Sequence, residues 1–236
     1  MQLDRYFDAI YVGLNIAMVG ALLATVVFGA LRRRSRSDAA RAVGAGAALL
    51  AIGTAVALGG GLVADAVLKS SPWFQQVRFG LYYIGFAVIV WGTVAILRGC
   101  VRAPWRIRIS AALAIAYAVS VLIGAAFVCI PATFVLNQYR EQVQLPVYWL
   151  PLLIASAGGS LALFAATALD QTLLTARLRL IAGFDGLLFL GLLRESQILP
   201  DLGDPLLNLL VSFVPFVVGA VLLAISVLRD PPLLGD

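Results

Sequence analysis

The chain has 236 residues, of which 62% are hydrophobic and 12% charged, with a formal net charge of +5 and no histidine. A soluble domain is nearer half apolar and a quarter charged, and a core of this size leaves too much surface to hide such an apolar excess. Composition therefore excludes an ordinary soluble domain and points to a lipid environment.

A chain that crosses a bilayer must satisfy its own backbone hydrogen bonds, so it crosses as helices or as a closed barrel. Barrel strands are about ten residues long and alternate apolar with polar. The apolar runs here reach twenty residues or more without alternation, so helices are expected. Seven are predicted: 9–31, 43–67, 79–97, 109–134, 147–169, 179–199 and 206–228. Most have the length to cross a hydrocarbon layer of roughly 30 Å. The sixth is the least regular, because Asp185 interrupts its uncharged run from Leu180 to Leu193. The linkers are short, and the expected fold class is an all-α, polytopic integral membrane bundle of seven transmembrane helices. All of 1–236 forms one transmembrane domain, with no soluble domain.

Alternating the linkers between two sides sorts the basic residues unevenly. One side collects Arg32, Arg33, Arg34, Arg36, Arg41, Arg98, Arg102, Arg106, Arg108, Arg177, Arg179 and Arg229, twelve in all; the other collects Arg5, Lys69, Arg78, Arg140 and Arg194, five in all. The positive-inside bias puts the twelve in the cytoplasm. The N-terminus is then outside and the C-terminus cytoplasmic, in a bacterial-type cytoplasmic membrane. The first eight residues are net acidic, unlike the positive start of a cleaved signal peptide, so the first helix reads as a retained span. Tyr6, Phe7, Trp73, Trp105, Tyr139, Tyr148 and Trp149 fall at helix ends, as an interfacial aromatic belt would. The basic linkers read as topology signals in contact with lipid headgroups, and no nucleic-acid partner is expected. Cys100 and Cys129 flank the fourth helix from opposite ends, too far apart to bridge.

Small residues cluster at Gly44-Ala45-Gly46-Ala47-Ala48 in the second helix and at Ala155-Ser156-Ala157-Gly158-Gly159-Ser160 in the fifth. Such faces let helices approach closely. They suit packing within the bundle, contact with other membrane subunits, self-association, or a groove for a lipid or carotenoid-like molecule. Helices 1–3 and 5–7 have matching orientations, as in transporters built from parallel repeats, although Asp65 and Asp185 lie at different depths in the corresponding helices. Pro131, Pro151 and Pro215 are expected to bend helices four, five and seven.

Asp185 is the sharpest single feature. An ionisable group inside a span costs a few kcal/mol and marks a candidate functional site. Flanking Gly183 and Gly186 suggest a loosened helix with carbonyls exposed. The carboxyl is read as neutral and hydrogen-bonded to a neighbour, as binding a cation, or as facing a wet cavity. A second set, Asn15, Asp65, Arg78, Tyr82, Tyr83, Arg194, Glu195 and Asn208, lies in the outer half, where a compact bundle would gather several of them. The leading reading is separate interfacial residues reaching for water, and the alternative is a converged group with an ion pair from Asp65 to Arg78 or Arg194.

Absences narrow the chemistry. Without histidine there is no His-ligated haem, chlorophyll or zinc and no Ser–His catalysis. Microbial rhodopsins share this topology but need a Schiff-base lysine in the last helix, and the only lysine is Lys69, so retinal is excluded. No metal or other cofactor is expected, and no enzymatic activity. The leading expectation is a non-catalytic accessory or scaffold subunit of a larger membrane complex. The alternatives are a small-solute or ion transporter or channel using Asp185, and a sensor signalling through the Arg-rich linkers to a cytosolic partner.

Overall fold

The computed structural model describes residues 2–32, 35, 37–71, 73–100, 105–129, 140–169, 174–196, 198 and 202–228. Among them there are seven α-helices and no strand: α1 (Gln2–Arg32), α2 (Asp38–Leu68), α3 (Phe74–Cys100), α4 (Trp105–Cys129), α5 (Arg140–Leu169), α6 (Thr175–Glu195) and α7 (Pro205–Leu228). Six are long and apolar enough to cross a membrane; α6 is the exception. It runs Thr175–Glu195 where 179–199 was expected. Arg177 reads as linker in the sequence, yet it sits in the first turn of α6 and is buried. The fourth helix ends at Cys129, short of 134, and Pro131 lies outside the described residues, as do Arg33, Arg34, Arg36, Arg102, Arg229 and Tyr139.

Local chemistry sets the ends. Ser37 caps α2 by accepting from the Ala40 N–H. At α7, Gly203 takes a positive φ of 75°. Asp204 Oδ1 then accepts from the N–H groups of Leu206 and Leu207 at 2.8 and 3.2 Å. Pro205 occupies the first helical position, where no N–H is needed. Cys100 closes α3 and Cys129 closes α4, both as free thiols.

Each helix packs on its neighbours in chain order, and α7 returns to pack on α1, so the bundle is a closed ring; α3–α5 and α2–α7 contacts cross its interior. The most extensive contact, α2 on α3, is built on glycine. A Cβ on Gly46 would stand 2.7 Å from the Gly92 carbonyl oxygen, and one on Gly53 would stand 2.5 Å from that of Gly85. The relation is reciprocal, at 2.7 Å for Gly92 against Gly46 and 2.6 Å for Gly85 against Gly53. These two rungs are seven residues apart on each helix. Gly29 and Gly44 do the same between α1 and α2, at 2.5 and 2.9 Å. Close backbone approach of this kind brings many atoms into dispersion contact and is how small-residue helix faces pack.

The two ends of the ring differ. At one end Arg32 Nε donates to the Val227 carbonyl at 2.5 Å, joining the C-termini of α1 and α7, and Arg98, Arg106 and Arg108 gather nearby on α3 and α4. At the other, α1 and α7 meet through Tyr11 and Phe213, with ring centroids 5.1 Å apart. That second end carries the cavity described next.

Candidate functional site

A cavity of about 210 Å³ opens at the end of the ring that holds the N-terminus of α1. Six helices line it. Tyr11, Asn15 and Met18 come from α1, Leu58, Leu62 and Asp65 from α2, and Arg78, Tyr82 and Phe86 from α3. Trp149 and Leu152 come from α5, Leu192 and Glu195 from α6, Phe213 and Phe216 from α7. Its floor is apolar and buried: Leu152, Leu192, Phe86, Met18 and Phe216 are each at most 6% exposed. Its mouth is charged. Glu195 is exposed, and the side chains of Asp65 and Arg78 are 41% and 26% exposed.

Arg78 organises one wall. Its Nε lies 3.7 Å from Asp65 Oδ1 and donates to the Tyr82 hydroxyl at 3.3 Å. The guanidinium stands 5.7 Å above the Phe74 ring and 5.6 Å above the Tyr82 ring, within cation–π range. Tyr82 leans on Trp149 at 5.7 Å, and Phe79 touches both Trp149 and Tyr148, at 5.7 and 5.1 Å. Trp149 and Tyr148 were expected in an interfacial belt; Trp149 is instead 5% exposed and forms cavity wall, while Tyr148 is half-buried against Phe79. Trp73 and Trp105 are exposed at helix ends. The Trp149 indole N–H has no acceptor among the described residues.

Of the outer polar residues singled out in the sequence, Asn15, Asp65, Arg78, Tyr82 and Glu195 meet around this cavity. Arg194 and Asn208 are bonded to each other beside it, Arg194 Nη2 donating to Asn208 Oδ1 at 2.6 Å. Tyr83 is turned away: its hydroxyl donates to the Tyr148 carbonyl at 3.0 Å and covers Gly124. Adjacent residues on a helix point about 100° apart, which separates Tyr83 from Tyr82. The aromatic lining from α7, Phe213 and Phe216, was not anticipated; in the sequence both merge with an apolar run.

Asp185 lies elsewhere. It is 0% exposed, and it does not line the cavity. Neither carboxyl oxygen has a hydrogen-bond partner among the described residues. Oδ2 lies 2.6 Å, and the Thr93 hydroxyl 3.6 Å, from the point where a Cβ on Gly159 would stand. The glycine on α5 thus makes room for the carboxyl. The neighbouring hydroxyl protons are already used. Thr93 donates to the Ile89 carbonyl at 3.2 Å and Ser160 to that of Ala182 at 2.9 Å. Helix α6 is unbroken here, contrary to the expectation of a loosened segment. A Cβ on Gly183 would stand 3.2 Å from Leu222 Cδ1, and one on Gly186 3.2 Å from Ser160 Oγ, so both serve close packing on α7 and α5.

Compared with known proteins, the chain matches no family model, no curated protein and no solved structure.

Proposed function

We propose that this chain is a non-catalytic seven-helix membrane protein, N-terminus outside and C-terminus cytoplasmic, that binds a small amphipathic molecule in the cavity at its outer end. The bundle would serve as a receptor-like or accessory binding subunit. One observation carries the reading: an apolar, aromatic floor under a charged mouth, assembled from six helices. Pockets of this make-up, mostly apolar with a few convergent polar groups, are where small molecules bind. A bare scaffold has no need of one. The unpartnered Trp149 N–H adds support, since a bound acceptor would relieve it.

Counting α6 as a span rests on length and packing. Its 21 residues rise about 31 Å at 1.5 Å each. It packs on α5 and α7, with Arg177 and Arg179 near one end, Arg194 and Glu195 at the other, and Asp185 the one ionisable residue between them. The orientation rests on the twelve-to-five split of basic residues.

Native mass spectrometry of the purified chain in mild detergent tests the binding reading. A small molecule is expected to travel with the wild type and to be lost in Asn15→Trp, which fills the cavity from α1 without touching the glycine contacts. The reading fails if nothing co-purifies and no member of a panel of small amphiphiles raises the thermal midpoint.

Transport of protons or cations is the second reading, favoured by the fully buried and unpartnered carboxyl of Asp185. It is the weaker of the two, because Asp185 is fully buried and does not line the cavity.

A further inference from the structure

Charge and ring placement in the cavity go beyond amphipathic binding in general and select a sign. Three charged side chains line it, Asp65, Glu195 and Arg78, giving a net −1. Arg78 is engaged, held between the Asp65 carboxylate and the faces of Phe74 and Tyr82. Glu195 is not: its carboxylate makes no hydrogen bond and no ion pair among the described residues. Its neighbour Arg194 is turned to Asn208 on α7 and is not part of the lining. Electron-rich aromatic rings share the lining with this open carboxylate. Tyr11 and Phe213 pack edge to face at 71°, Phe213 packs on Phe216 at 83°, and Tyr82 and Trp149 close the other wall. Rings around a carboxylate form the surroundings that attract an organic ammonium group, because the ring quadrupole and the charge act in the same direction. An anion would face the reverse: an open carboxylate, and a guanidinium already in use.

On the reading that the cavity binds a small amphipathic molecule, we infer that its ligand is a monovalent organic cation, a protonated amine or quaternary ammonium with an apolar body. The ammonium sits at the mouth between Glu195 and the ring of Tyr11, away from Arg78. The apolar body reaches down to Phe216, Leu152 and Leu192.

Three probes of similar size separate this inference from the reading under it: benzyltrimethylammonium, 3-phenylpropan-1-ol and 3-phenylpropionate, each titrated calorimetrically into the full chain in mild detergent. The cation is expected to bind at least ten-fold tighter than the alcohol, and the carboxylate weakest of the three. Glu195→Gln is expected to weaken the cation at least ten-fold and to leave the alcohol unchanged, which also reports that the variant is folded. If the alcohol or the carboxylate binds as tightly as the cation, or if Glu195→Gln leaves the cation unaffected, the charge assignment is wrong while cavity binding stands. If none of the three binds, both are wrong.

Discussion

Asp185 occupies a site that supplies room without donors. Gly159 makes way for its carboxyl, and the hydroxyls of Thr93 and Ser160 give their protons to carbonyls. Burying a polar group without a partner costs about 1–3 kcal/mol. Asp185→Val, close in volume and free of polar atoms, is therefore expected to keep the thermal midpoint or raise it by the equivalent of up to about 3 kcal/mol. A partner hidden in the fold would show itself as a marked loss of stability. Asp185→Asn separates structure from use: it preserves shape and removes titration. If Asp185 carries protons or cations, the Asn variant folds normally and loses its pH or ion dependence in a liposome flux assay. Unchanged flux would remove this residue from any transport mechanism. A carboxyl retained against its own stability, with activity lost when it is replaced, is the usual mark of a working group.

The helices differ in how they are held. Helices α2 and α3 touch backbone to backbone at Gly46–Gly92 and Gly53–Gly85, whereas α1 and α4 leave most of their apolar surface outward. Gly53→Leu places a side chain where 2.5 Å separates a Cβ from the Gly85 carbonyl oxygen. It is expected to destabilise by about 1–3 kcal/mol or more. Gly59, on the same helix, has open space around it, and Gly59→Ala is expected to be neutral or to stabilise by up to about 1 kcal/mol. Thermal unfolding of the pair in detergent checks both; equal effects would deny the glycine contact its role. The existence of each helix was legible because apolar run length is a local property. The start of α6 was misplaced by four residues because Arg177 looks like linker until neighbouring helices bury it. The small-residue stretch in α2 was legible, but its partner Gly92 and the second rung, Gly53 on Gly85, were missed, although the spacing of seven is written in the sequence. The cavity was legible only as a list of outer polar residues. Which of them meet depends on how each helix is rotated about its axis, and Tyr82 and Tyr83, adjacent in sequence, face different neighbours.

For the whole molecule the strongest asymmetry is of charge along the ring axis. Single cysteines at Ser35, in the linker between α1 and α2, and at Ser70, between α2 and α3, report its orientation in a Cys100→Ser, Cys129→Ser background. Impermeant maleimide on intact cells is expected to label position 70 and to reach position 35 only after lysis; the reverse pattern would invert the bundle. The closure of the ring has a temporal side as well. The cavity draws Tyr11 and Asn15 from the first of the seven helices, and Phe213 and Phe216 from the seventh. Until α7 docks beside α1 the site is an open cleft. Occupancy of the cavity therefore depends on the closure of the ring, and a ligand that binds there acts as a clasp between its first and seventh helices.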